Sequence, residues 1–127
     1  MKDKFEKRIK IIAHRGACSI APENTLTAAE KAFQAGADLW ETDVSVTLDG
    51  QLVLFHDRTL DRTTDAKTLF PGRKSYRLSE FTLEELTLLN TGSVFIKSDP
   101  FGMIRKGHVG PEALDAMKTE KIPTLEQ

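Results

Sequence analysis

Apolar residues in this chain fall into short runs that end abruptly at charge, and those runs predict the elements. Ile11-Ile12-Ala13 is apolar and mostly β-branched and stops at His14-Arg15-Gly16, which predicts a buried strand feeding a loop. Pro22-Glu23-Asn24-Thr25 marks a helix entrance, where Asn24 or Thr25 can cap the first free amides. Leu26, Ala29, Ala32 and Phe33 then recur at helical spacing, and Gly36 supplies the stop. Over 37–47 the pattern alternates in part. Leu39, Glu41, Asp43 and Ser45 share one face of a strand, with Trp40, Thr42, Val44 and Val46 on the other. Asp49-Gly50 is a tight-turn pair, and Leu52-Val53-Leu54-Phe55 returns as a second strand ending at His56.

This order of strand, helix, strand and hairpin partner points to a parallel sheet with crossover helices. The stretch from Asp57 to Leu78 is turn-rich, mixed in charge and without a period, so it reads as a long loop of the kind that forms lids or binding edges. Thr82-Leu83-Glu84-Glu85 is a capping box opening a short helix through Leu86, Leu88 and Leu89. Asn90 to Gly110 carries Gly and Pro breakers, and Pro111 to Lys121 has helical composition with a weak pattern. After Ile122-Pro123, Thr124-Leu125-Glu126-Gln127 is a second capping-box pattern, so the chain reads as cut within the first turn of a helix.

Composition narrows the function classes. At 127 residues the chain is expected to be a single domain. Its 18 Lys and Arg balance 19 Asp and Glu, which leaves no global field to attract nucleic acid or an anionic membrane. Anion binding must then come from local arrangement. No apolar run approaches the roughly 18 residues of a membrane span. The charged start MKDKFEKRIK lacks the apolar stretch of a signal peptide, so a cytoplasmic protein without stable membrane insertion is expected. Cys18 is the sole cysteine, which excludes an internal disulfide; without an activating motif it reads as a small loop residue.

The candidate chemistry sits at the strand ends, where α/β folds collect reactive groups. Glu41 and Asp43, two apart on a strand, point the same way, and paired acids there suit a compensating cation. The alternative is a wet surface strand; the flanking Leu39, Trp40, Val44 and Val46 favour burial and a metal. All-oxygen ligands select Mg²⁺ or Ca²⁺ over Zn²⁺. His14 and His56 each end an apolar run and suit the acid and base of phosphodiester hydrolysis. Arg15 offers a planar fork of donors matched to phosphate oxygens, and Gly16 permits close backbone approach. Glu23 is either a site residue or a favourable charge at a helix entrance. Asp57 either orients His56 or starts a turn, and His108 in a Gly-rich loop has no assigned role.

Together, His14-Arg15-Gly16, Pro22-Glu23-Asn24-Thr25, Glu41-Thr42-Asp43-Val44, Leu48-Asp49-Gly50 and His56-Asp57 resemble the glycerophosphodiester phosphodiesterase family. Arg58-Thr59-Leu60-Asp61-Arg62-Thr63-Thr64 and Ile122-Pro123-Thr124-Leu125-Glu126 are also similar to it, so the likeness covers most of residues 10–65 and resumes at the end. The resemblance implies an α/β fold, the N-terminal part of a TIM-type (β/α)8 barrel with its site at the carboxyl ends of the strands. It implies hydrolysis of a small-molecule glycerophosphodiester to an alcohol and glycerol 3-phosphate, through a cyclic phosphate that water opens. His14 and His56 would be general acid and base, Arg15 a phosphate ligand, and Glu41 and Asp43 ligands of a divalent metal, Mg²⁺ or Ca²⁺.

The family completes its metal site with an acid in a Glu-x-Lys strand, which would lie beyond Gln127. A full barrel needs about 250 residues. The expectation is therefore an incomplete barrel: roughly two βα units, a long insertion over about 60–110, and a chain that in isolation aggregates and is nearly inactive. The rival readings are a phospholipase D-like or phosphatidylinositol-specific phospholipase C-like lipid phosphodiesterase, and a non-catalytic fragment.

Overall fold

A computed structural model of the chain describes residues 9–127. The charged stretch read as lacking a signal peptide lies largely outside the described residues. The first apolar run forms β1 (Ile12–His14), followed by helix α1 (Leu26–Gln34) and β2 (Leu39–Glu41). β1 and β2 pair in parallel, with Ile12 opposite Leu39 and His14 opposite Glu41. This is the expected crossover unit, and the parallel pairing puts both strand ends at one edge.

Of the two expected caps, Thr25 closes α1: its Oγ1 accepts from the Ala28 N–H at 3.2 Å and donates to the Pro22 carbonyl at 2.6 Å. Gly36 follows the helix in the left-handed region, φ 90°. The buried face of α1 differs from the expected stripe. Ala28 and Ala32 are buried, whereas Leu26 and Phe33 are exposed. Small residues win that face because the loop after β1 presses on it: a Cβ at Gly16 would stand 2.7 Å from the carbonyl carbon and Cβ of Ala28.

The expected continuous strand over 37–47 is split. β2 ends at Glu41, Thr42 and Asp43 leave the ladder, and β3 (Val44–Val46) pairs antiparallel with β4 (Leu52–Leu54). The break is stabilised by Asn24, whose side-chain oxygen accepts from Thr42 Oγ1 at 2.8 Å and from the Asp43 N–H at 3.2 Å. The Asp-Gly turn forms as expected, with the Gly50 N–H donating to the Thr47 carbonyl at 3.0 Å. Residues 123–125 run antiparallel along β4 through Leu54 N–H to Pro123 and Leu125 N–H to Leu52. At the end, Gln127 Oε1 accepts from the Thr124 N–H at 2.8 Å, one arm of the expected capping box.

The stretch read as loop is largely packed structure. It contains α2 (Ala66–Leu69) and a 3₁₀ turn at Leu78–Glu80. The expected short helix follows as α3 (Leu83–Thr87), and then α4 (Gly92–Ser98) and α5 (Pro111–Met117). The Thr82/Glu85 capping box is present in both directions. One core joins Val53 and Phe55 of the hairpin segment to Leu60, Phe81, Leu86 and Leu89, and a second joins Ala28 of α1 to Phe95, Val109 and Met117. The segment therefore packs the hairpin and α1 and holds the site edge rigid. Burial of the strand flanks does not follow the sequence expectation. Ile12, Leu39, Val44 and Val46 are 47–57% exposed, because among the described residues nothing covers those faces of the two-stranded pairs.

Candidate active site

Three strand ends build the site. His14 closes β1 opposite Glu41, the last residue of β2, with Nε2 3.8 Å from Glu41 Oε2. Arg15 follows with a left-handed backbone, φ 59°, uncommon for a residue with a side chain. Its N–H donates to both the carbonyl (2.9 Å) and the carboxylate Oε2 (3.1 Å) of Glu41, and its own carbonyl accepts from the Asn24 N–H at 3.0 Å. These bonds hold the strained turn and aim the guanidinium along the rim.

The Arg15 guanidinium lies between two acids, with Nη1 3.5 Å from Glu23 Oε1 and Nε 3.4 Å from Asp43 Oδ2. That Nε is buried and makes no hydrogen bond among the described residues. A buried donor without a partner costs about 1–3 kcal/mol, so the side chain retains capacity for an anion. Asn24, also left-handed at φ 56°, donates its Nδ2 to Asp43 Oδ2 at 3.1 Å. Asp43 is thus held by Asn24 and approached by Arg15.

The second half is organised by Arg62. Its Nε and Nη2 donate to the two oxygens of Asp57 at 2.8 and 2.9 Å. Its Nη2 and Nη1 donate to the two oxygens of Glu23 at 2.7 and 3.0 Å. Asp57 Oδ1 in turn lies 2.7 Å from His56 Nδ1. The hydrogen bonds from Arg62 and, after a smaller opposing effect of burial, from His56 hold the Asp57 carboxyl down to about 2. The Arg62 guanidinium is held above its ordinary value by Asp57 and Glu23. An ionised Asp57 selects the His56 tautomer with its proton on Nδ1, leaving Nε2 to exchange protons with a ligand.

The expected site residues are therefore joined by one chain of contacts. It runs from His14 through Glu41 and Arg15 to Glu23, Arg62, Asp57 and His56, with Asp43 on Arg15. The two imidazoles make no direct bond to each other among the described residues. Glu23 contacts both Arg15 and Arg62, Asp57 contacts His56 and Arg62, and Asn24, one of the two residues expected to cap α1, braces Asp43 while Thr25 makes the cap. Arg62 belongs to a stretch the sequence singled out, but its role did not show there, since its bond to Glu23 spans 39 positions.

Among the described residues, one group of three donors lies within 4.8 Å: Glu23, His56 and Asp57. It contains neither Glu41 nor Asp43. Arg62 already binds both carboxylates of that group, so a divalent cation there would face a guanidinium at close range. The Glu41 and Asp43 side chains are 42% and 28% exposed, offer oxygen donors alone, and meet cationic nitrogen at 3.4 Å or beyond. Their chemistry fits a hard divalent ion.

The chain matches the model of the glycerophosphoryl diester phosphodiesterase family over residues 14–127. It is 41% identical over 117 residues to the human glycerophosphoinositol inositolphosphodiesterase GDPD2, covering 92% of this chain and 21% of that protein. To YhdW, a putative glycerophosphodiester phosphodiesterase of Bacillus subtilis, it is 40% identical over 91% of this chain and 37% of the relative. Among solved structures it is similar to a glycerophosphodiester phosphodiesterase from Agrobacterium tumefaciens (TM-score 0.69, 34% identity, 93% of this chain, 40% of that one). It is also similar to an Oleispira antarctica phosphodiesterase in complex with the product sn-glycerol-3-phosphate (TM-score 0.66, 33% identity, 92% of this chain, 37% of that one). The chain thus spans between 21% and 40% of the length of these proteins. Its open α/β architecture is the N-terminal part of their barrel. On the family match and these likenesses, the chain belongs to the glycerophosphoryl diester phosphodiesterase family.

Proposed function

We propose that this chain carries the histidine pair, phosphate-binding arginine and metal-binding acids of a glycerophosphodiester phosphodiesterase, an enzyme releasing an alcohol and sn-glycerol 3-phosphate. The observation that supports this most is the contact chain joining His14 to His56 through Glu41, Arg15, Glu23, Arg62 and Asp57. The relative's name, glycerophosphoinositol inositolphosphodiesterase, and the sn-glycerol-3-phosphate in the Oleispira structure support the substrate class.

In this reading the guanidinium of Arg15 receives two phosphate oxygens. One imidazole removes the proton of the glycerol hydroxyl neighbouring the phosphate, whose oxygen then bonds to phosphorus. The bond from phosphorus to the leaving alcohol breaks, and the other imidazole protonates that oxygen. In the second step the roles exchange. Water loses a proton to the imidazole that had acted as acid and bonds to phosphorus, while the ring oxygen leaves and takes a proton from the first. Glu41 and Asp43 would hold Mg²⁺ or Ca²⁺, which when bound supplies Lewis-acid stabilisation of charge on the phosphoryl oxygens.

The full-length protein tests this directly. It should release sn-glycerol 3-phosphate from glycerophosphocholine or glycerophosphoinositol, lose that activity on exhaustive chelation, and regain it with Mg²⁺ or Ca²⁺. Absence of release from every glycerophosphodiester would refute the activity; full turnover after chelation would refute the metal assignment alone.

A further inference from the structure

A cavity of about 240 Å³ shares Asp57 with the site and takes Arg58, Arg77 and Ser79 into its lining. We infer that Arg58 and Arg77 form a second anion site there, separate from Arg15, for a phosphomonoester group. That group is either a second phosphate carried by a substrate or free phosphate from solution. The site goes beyond the phosphodiesterase reading and does not depend on it, because binding is measured without turnover.

The fold fixes the two arginines beside each other through backbone and core. Thr59 and Arg77 meet in an antiparallel bridge. The Leu60 N–H donates to the Tyr76 carbonyl at 2.9 Å, and the Leu78 N–H to the Arg58 carbonyl at 3.0 Å. Leu60 and Leu78 are both buried in the first core, so neither segment can swing away without unpacking it. No side-chain pairing explains the placement of the guanidiniums. Arg15, Arg62 and Arg73 each meet a carboxylate. Arg58 and Arg77 are exposed, and among the described residues neither side chain makes a hydrogen bond or an ion pair.

The surrounding charges leave that pair uncompensated. Asp57 is the acid on the wall, and its two oxygens already accept from Arg62, one of them also facing His56. Glu23, Glu41 and Asp43 belong to the rim and do not line this cavity. Of the acids next along the chain, Asp61 pairs with Lys67 at 3.4 Å and Glu80 lies outside the lining. Two like charges held beside one wall repel, and a dianion relieves that while accepting from both planar forks. The Ser79 hydroxyl, without a partner among the described residues, adds a donor; the Ser45 hydroxyl is spent on the Phe55 carbonyl at 2.9 Å. Val46 and Leu78 supply an apolar floor, against which the ionic contacts are screened less than in open water.

The test is equilibrium dialysis of inorganic phosphate against the chelated full-length protein at low ionic strength, where exposed charges are least screened. Two phosphates should bind per chain. Arg58→Gln and Arg77→Gln should each weaken one of them about tenfold, the double variant should retain a single phosphate, and unfolding midpoints should stay native. A single phosphate in the wild type, or two in the double variant, would overturn the inference. Two substrates then identify the source. If the phosphate belongs to the substrate, glycerophosphoinositol 4-phosphate should show a KM about tenfold below that of glycerophosphoinositol, and the double variant should erase the difference while turning over glycerophosphoinositol normally. If it is free phosphate, the two substrates should be used alike, and added phosphate should alter glycerophosphoinositol turnover differently in the wild type and the double variant. Two bound phosphates without any hydrolysis would sink the phosphodiesterase reading and leave this site standing; hydrolysis with one bound phosphate would do the reverse.

Discussion

Arg62 positions His56 without touching it: it grips both oxygens of Asp57, and Asp57 takes the Nδ1 side of the imidazole at 2.7 Å. The same guanidinium closes on Glu23, which stands beside Arg15. One side chain therefore ties the second histidine to the Arg15 half of the rim.

Asp57→Asn keeps the shape but replaces one of the two acceptor oxygens by an NH2 donor and removes the charge, so the His56 tautomer is no longer enforced. In the full-length enzyme it should lower kcat by about 10- to 100-fold, the usual cost of losing a partner that orients a functional histidine, with KM little changed. Arg62→Lys should fail to restore activity lost in Arg62→Ala, because a point ammonium cannot span two carboxylates bidentately. A rise in KM at constant kcat would instead mark Arg62 as a simple binding group.

The depressed Asp57 carboxyl makes stability fall in acid. Its ordinary value is 3.8 and in the fold it lies at about 2. Its contribution is therefore full above roughly pH 4 and is lost as pH drops through that interval toward 2. Denaturant midpoints measured across this window should fall for the native protein and fall less steeply for Asp57→Asn. Parallel slopes would show that the pair with Arg62 adds nothing to stability.

Gly16 joins the Arg15 turn to α1. Its φ is 84° and an added Cβ would lie 2.7 Å from Ala28 backbone and side chain. Gly16→Ala should cost about 1–3 kcal/mol from overpacking alone, read as a lower denaturant midpoint, and should reduce activity by moving Arg15. Gly92→Ala tests packing away from the rim: its Cβ would fall 1.6 Å from the Met117 carbonyl oxygen, so α4 must shift off α5.

The rim was legible because its residues terminate apolar runs: His14 after Ile12-Ala13 and His56 after Leu54-Phe55. The Asp49-Gly50 turn and the Thr82/Glu85 box were equally readable, since both are local chemistry. The packing of 57–110 was not. Leu60, Phe81, Leu86 and Leu89 carry no shared period, and they meet only through tertiary contact with Val53 and Phe55. α4 escaped for a similar reason: its start is braced by Asn90, whose side chain accepts from the Ser93 N–H at 2.8 Å, a signal set among breakers. The split at Thr42-Asp43 depends on Asn24, which lies 18 positions from Thr42. No alternation along the strand encodes that distant side chain.

The most direct measurement is release of sn-glycerol 3-phosphate from a glycerophosphodiester by the full-length protein and its His14→Ala and His56→Ala variants, alongside their unfolding curves. Each variant should lose about 10²- to 10⁴-fold in kcat while unfolding at the native midpoint. Near-native turnover in both folded variants would contradict the assignment of the two imidazoles as acid and base.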